Sequence, residues 1–167
     1  MRITRIEAWP VLLRLSEPYT IAYESVAEVT NIFIRMETNR GITGYGCAAP
    51  SEGVTGEKVE GFLDVIESTI VPFLKGADPL RAARIMLRLK RHLKGKPSLL
   101  AAVDMALFDL LGKTAGLPLW KILGGFRDRI KTSVTIGIMP EKETVEHGLY
   151  WKKRGFRSLK LKGGLHV

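Results

Sequence analysis

The chain holds 167 residues, 46% apolar and 26% charged, which fits about one to one and a half domains and excludes a disordered or low-complexity polymer. No run reaches the ~20 uncharged apolar residues of a membrane helix, and the single cysteine, Cys47, rules out disulfide stapling and favours a reducing compartment. The formal net charge of +9 is uneven, with 7 Lys/Arg against 11 Asp/Glu in residues 1–80 and 19 against 6 in residues 81–167.

The N-terminus runs straight into alternating apolar residues and lacks a signal peptide's apolar segment, so a cytoplasmic location without a membrane partner is expected. Three strands are predicted over residues 3–15, 29–37 and 42–48. The turn Thr38-Asn39-Arg40-Gly41 joins the last two as a hairpin, since Asn-Arg-Gly tolerates the positive φ of a tight turn. Residues 16–28, between the first two strands, read as a long loop of the kind that binds or encloses ligands.

Helices follow. Thr55 is expected to cap a helix running to about Ile70, with Pro72 as its stop. Asp78-Pro79 opens a second, running to about Leu93, with Asp78 as cap and Pro79 at the first helical position. Pro97-Ser98 introduces a third, with Leu100, Val103, Leu107 and Leu111 on one stripe and Gly116 near its end. Leu117-Pro118-Leu119-Trp120 begins a short fourth, halted by Gly124-Gly125. The pattern then becomes β-α-β: a strand over 130–138, a helix over 141–154 with acidic first and basic last turns, and a strand over 156–162 ending at Gly163-Gly164. These two strands should lie parallel, and one such unit cannot cover its own sheet faces.

The run Asp104-Met105-Ala106-Leu107-Phe108-Asp109-Leu110-Leu111-Gly112-Lys113, with Gly116-Leu117-Pro118-Leu119-Trp120 and Leu123-Gly124-Gly125, resembles the enolase superfamily, in its mandelate racemase/muconate lactonizing branch. Residues 41–46 with Ala49-Pro50 resemble that branch's capping-domain hairpin, residues 132–138 its first barrel strand, and Lys160-Leu161-Lys162 its Lys-x-Lys second strand. Residues 18–22 and 54–57 are most similar to the dipeptide epimerases. The resemblance implies an α+β capping domain over residues 1–126, a three-stranded antiparallel meander followed by helices. It makes residues 127–167 the first β-α-β unit of a TIM-like (β/α)7β barrel. Such a barrel takes ~200–250 residues, whereas about 40 follow Arg127, so the chain resembles the N-terminal part of a larger isomerase.

Members of that family hold a substrate carboxylate on Mg2+ while a base removes the α-proton. The resemblance places the metal's ligands on later strands, so no metal residue is assigned, and the 167 residues alone are expected to be inactive. For the whole enzyme it implies a small-molecule carboxylate substrate such as a dipeptide, and a homo-oligomer.

Lys160 and Lys162 stand two apart on a strand, which projects both side chains to one face. Spacing alone fits two exposed lysines at a basic strand end equally well. By resemblance, Lys162 is the catalytic base and Lys160 its electrostatic tuner, because a neighbouring ammonium disfavours a second positive charge and leaves an amine free to accept a proton. Thr135 is expected to offer a substrate-facing hydroxyl, with plain β-propensity as the alternative. Residues 16–28 and 50–53 resemble the two cap loops that set specificity, with Tyr19, Ile21, Tyr23 and Glu24 as substrate contacts. An anionic Glu24 would suit a neutral or cationic substrate side chain and repel an acidic one.

Cys47, where the family pattern more often has glutamate, reads as a small buried hydrophobe. Asp104 and Asp109 read as packing and capping residues, and His92, His147 and His166 have no metal-ligand spacing. Other functions stay open: a related lyase or cycloisomerase, of the o-succinylbenzoate synthase or muconate cycloisomerase type, or a non-catalytic remnant that covers its strand faces by self-association. A polyanion partner is a further reading of the basic half, but the charges are dispersed and no nucleic-acid motif accompanies them, so nucleic acid is not expected.

Overall fold

A computed structural model describes residues 1–22 and 24–163, without the Glu24 side chain. Three strands, β1 (Ile3–Ile21), β2 (Glu24–Thr38) and β3 (Thr43–Ala48), form one sheet in that order. β2 and β3 pair antiparallel, with Ile32 opposite Ala48 and Glu37 opposite Thr43. Their turn is the expected one: Gly41 sits at φ +72° and its N–H donates to Thr38 O at 3.0 Å.

Residues 16–28 are not the long loop expected between the first two strands. β1 continues to Ile21 and β2 begins at Glu24, so the segment is the distal part of a hairpin. β1 is an edge strand, the position in a sheet where a proline such as Pro18 is tolerated.

Close packing divides the chain into two units, residues 1–12 with 30–125 and residues 13–29 with 126–167. In the first, Ile32, Ile34 and Met36 of β2 are buried, and their partners on β3 are Ala48, Gly46 and Gly44. Helix α5 (Pro97–Ala115) crosses this small-residue strip at backbone contact. A methyl group at Gly46 would lie 1.8 Å from Ala102 O, and one at Gly44 2.4 Å from Ala106 O. The Gly-x-Gly-x-Ala pattern is therefore the imprint of a helix on a strand.

α1 (Glu52–Thr55) is a single turn closed by Gly56 at φ +69°. Thr55 thus ends a turn instead of capping a long helix. That helix starts later, as α2 (Phe62–Val65), a π-helical turn (Ile66–Ile70) and α3 (Val71–Leu74). Pro72 does not stop it. The Val71 N–H reaches back five residues to Ile66 O, and this wider turn accommodates a ring that would collide with the preceding carbonyl in a regular α-helix. Phe62, Ile66, Ile70 and Leu74 recur every four residues, and all four are fully buried.

The later helices follow their sequence signals. Asp78 accepts from Leu80 N–H at 3.2 Å and opens a 3-10 turn (Pro79–Arg81) that leads into α4 (Ala82–His92). α5 (Pro97–Ala115) ends at Gly116, φ +64°, and α6 (Leu119–Ile122) follows. The buried stripe of α5 is Leu99, Ala102, Val103, Ala106, Leu107 and Leu110, whereas Leu100 and Leu111 are only half-buried. Two alanines facing the β3 glycines rotate the stripe from where the largest apolar residues point.

Glu57 is 2% exposed, and both its carboxylate oxygens lie 3.2 Å from the Ser98 N–H that donates to them. A carboxylate distant in sequence therefore caps the first turn of α5, where free N–H groups and the helix dipole favour negative charge. Glu57→Ala is expected to lower unfolding stability by about 1–3 kcal/mol, read as a lower urea midpoint at unchanged slope. Glu57→Gln, which keeps an acceptor, should lose less. An unmoved midpoint in both would remove Glu57 from this role.

The second unit holds β4 (Val134–Ile136), α7 (Glu141–Lys153) and β5 (Leu159–Leu161), with β4 and β5 parallel as expected of a β-α-β unit. The ladder is shorter than the sequence suggests, because pairing is confined to the three residues of each strand. No helix among the described residues is long and apolar enough to cross a membrane.

Candidate functional site

In the second unit Val134 lies opposite Leu159, Thr135 opposite Lys160 and Ile136 opposite Leu161. Paired residues on neighbouring strands project to the same face, and faces alternate along each strand. A methyl group at Gly148 of α7 would lie 3.5 Å from Leu159 Cδ1 and 3.8 Å from Ile136 Cδ1, so α7 covers the face bearing those two residues. Thr135 and Lys160 therefore share the opposite face. Lys162 N–H donates to Ile136 O at 3.0 Å, which extends the ladder and brings Lys162 by alternation to the face of Lys160. Lys160 is exposed and Lys162 half-buried.

The hairpin meets this pair at the C-terminal end of β4. Ile138 N–H donates to Thr20 O at 2.8 Å. A methyl group at Gly137 would stand 3.0 Å from Thr20 N and 3.1 Å from Tyr19 Cβ, so the close approach favours glycine there. Thr20 Oγ1 and Ser25 Oγ, 3.3 Å apart, link the two arms of the hairpin. Glu17 Oε1 lies 3.1 Å from Nδ1 of His147 on α7.

Thr135, Lys160, Lys162 and Tyr19 are thus gathered at the strand ends, the edge at which parallel α/β barrels build their active sites. Ile21, half-buried, lies two residues beyond Tyr19 on the same arm. Tyr23 and the Glu24 side chain fall outside the described residues, as do Gly164 and His166. A cavity of about 550 Å³ opens at the other end of the strands, between Lys131-Thr132 and Arg154–Ser158, and holds none of the predicted site residues.

Sequence reasoning missed Gly137 and the Glu17–His147 pair. The glycine carries a signal, since one inside a β-rich run marks close backbone approach. The pair, from distant segments, carries none. Glu17→Gln is expected to speed hydrogen exchange at the Ile138 amide by roughly 2–5-fold, because a half-exposed polar contact of this kind contributes about 0–1 kcal/mol. Unchanged exchange would mean that main-chain bonding alone holds the hairpin.

Two further polar candidates have partners within the first unit. Asp109 accepts from Tyr45 N–H at 2.9 Å and from Lys113 Nζ at 2.6 Å, and Lys113 also donates to Thr43 O, so the group ties α5 to β3. His92 packs on Phe73 with ring centres 5.5 Å apart. Cys47 is half-buried, and burial pushes its thiol up from the ordinary value. Among the described residues no group of three or more His, Cys, Asp and Glu side chains could hold a metal ion, so they do not fit a Mg2+ site.

A family model of the mandelate racemase / muconate lactonizing enzyme N-terminal domain matches residues 4–124. The L-Lys-D/L-Arg epimerase of Desulforapulum autotrophicum is 44% identical over 167 residues, all of this chain and 47% of that protein. A dipeptide epimerase from Methylococcus capsulatus, solved with Mg and the dipeptide L-Arg-D-Lys, superposes with a TM-score of 0.91 at 37% identity. That match covers 96% of this chain and 46% of the other. A substrate-liganded L-Ala-D/L-Glu epimerase from Bacillus subtilis gives a TM-score of 0.94 at 30% identity, over all of this chain and 46% of its own. The chain spans about half the length of these relatives. With the domain match over most of the chain and dipeptide epimerases aligned through β5, the chain belongs to the mandelate racemase/muconate lactonizing enzyme branch of the enolase superfamily.

Proposed function

We propose that these residues are the N-terminal part of an epimerase that inverts a dipeptide α-carbon by removing and returning the proton beside its carboxylate. The observation that supports this best is the face shared by Thr135, Lys160 and Lys162, turned away from α7 and ending where the hairpin docks. Lys162 Nζ takes the α-proton from one face of the carbon; the C–H bond pair moves into the carboxylate, and Nζ keeps that proton. Inversion is completed when an acid on the opposite face, outside these 167 residues, delivers a second proton to the carbon. Lys160 is the cation that opposes charge on its neighbour and attracts the developing negative charge. Thr135 offers a hydroxyl to the substrate, and Tyr19 and Ile21 contact its side chain; Tyr23 and Glu24, which lie outside the described side chains, are the further contact candidates.

Mg accompanies the dipeptide in the Methylococcus capsulatus complex. The described residues supply no ligand set for such an ion, and the 167 residues alone are expected to be inactive. Cationic dipeptides are the proposed substrates: two relatives are L-Lys-D/L-Arg epimerases, and an anionic Glu24 would favour a cationic side chain. The proposed whole enzyme is a cytoplasmic homo-oligomer.

The test joins residues 1–167 to the C-terminal half of the Desulforapulum autotrophicum relative and follows α-deuterium incorporation in D2O by proton NMR. Dipeptides containing Lys or Arg should exchange, and acidic ones should not. No exchange across a dipeptide panel would contradict the epimerase reading; elimination or cycloisomerisation without exchange would favour a lyase or cycloisomerase.

A further inference from the structure

Three arginines of the basic half stand together in the first unit. Arg81, at the end of the 3-10 turn, and Arg84 and Arg88 of α4 stand three and four residues apart, so they follow one helical stripe. Together with Arg2 they line a groove of about 350 Å³, floored in part by Phe73 and Ile85. Its one carboxylate, Asp78, is already engaged by Leu80 N–H. Arg2 is fixed at the rim by donation from Nη1 to Gly76 O at 3.1 Å. None of the ion pairs among the described residues involves these four arginines.

Three like charges in register on one stripe oppose helix formation unless something neutralises them. Arg88 first, and then Arg81, holds the Arg84 guanidinium below its ordinary value. A solvated basic face would need no hollow. Here the charges line a concavity of small-ligand size, and guanidinium forks match phosphate oxygens in pairs.

We propose that this groove binds an oligophosphate anion of the di- or triphosphate class through Arg81, Arg84 and Arg88, with Arg2 closing one side. Such an anion could be free, or it could be the phosphate tail of a nucleotide whose base rests on the Phe73–Ile85 floor.

Titration calorimetry of the 167-residue chain with inorganic tripolyphosphate, pyrophosphate and ADP tests this. Tripolyphosphate should bind one to one. Arg84→Gln/Arg88→Gln should weaken it at least about tenfold, a loss of about 1.4 kcal/mol. Lys152→Gln/Lys153→Gln on α7, which removes the same charge elsewhere, should weaken it far less. Arg84→Lys keeps the charge but loses the fork, and should fall between the two. Tighter binding of ADP than of pyrophosphate identifies a nucleotide, and equal binding a free oligophosphate. Absence of stoichiometric binding, or equal losses in the two double variants, would overturn the proposal.

Discussion

Lys162→Ala in the completed enzyme is expected to slow α-proton exchange by roughly 10²–10⁴-fold, the usual contribution of a positioned general base. Substrate should still bind, because the variant keeps Thr135, Lys160 and the hairpin. The control lies one residue away. Leu161 sits on the other face of β5, opposite Ile136, and is largely exposed, so Leu161→Ala should leave exchange nearly unchanged. Equal rate losses in the two variants would mean that the face assignment does not describe the chemistry. Deuterium incorporation in D2O reads both, and circular dichroism shows that both remain folded.

Gly46→Ala carries the largest expected effect on stability. Its methyl group would stand 1.8 Å from Ala102 O, and the obstructing atom is main chain, so no side-chain rotation relieves it. Overpacking ordinarily costs about 1–3 kcal/mol, and a rigid backbone obstacle should exceed that. Against a total of ~5–15 kcal/mol for a domain, much of the margin is lost. Thermal unfolding should fall by roughly 10 °C or more. Ala102→Gly should not rescue the variant, because the carbonyl stays in place. Gly41→Ala, which meets nothing within 4 Å but sits at φ +72°, should cost only about 1 kcal/mol. A Gly46→Ala protein as stable as Gly41→Ala would show that α5 can move away from β3.

These contrasts mark what the sequence could disclose. The Asp78-Pro79 start, the Gly116 stop, the Asn-Arg-Gly turn and the β-α-β grammar are local signals, each set by one or two backbone requirements, and the structure follows them. The same holds for the lysine pair, since a spacing of two on a strand leaves little freedom in facing. The misread segments depend on structure that their own residues do not signal, in most cases on distant neighbours. Pro18 is tolerated because β1 lies at a sheet edge, and Pro72 because the turn before it widens. The α5 stripe is rotated by glycines on another strand. Glu57 caps a helix 41 residues away, and Glu17 finds His147 only once the hairpin has docked. The hairpin's docking depends on the backbone, through Gly137 and Thr20 O, so no pattern of side-chain chemistry announces it.

The most direct measurement is the separation between Lys162 Nζ and the substrate α-carbon in a crystal of the completed enzyme with a bound cationic dipeptide. A base poised for transfer should stand roughly 3–3.5 Å from its target, with Lys160 on the same side of the strand. A Lys162 amine turned toward α7, or kept from the α-carbon by an intervening side chain, would contradict the assignment.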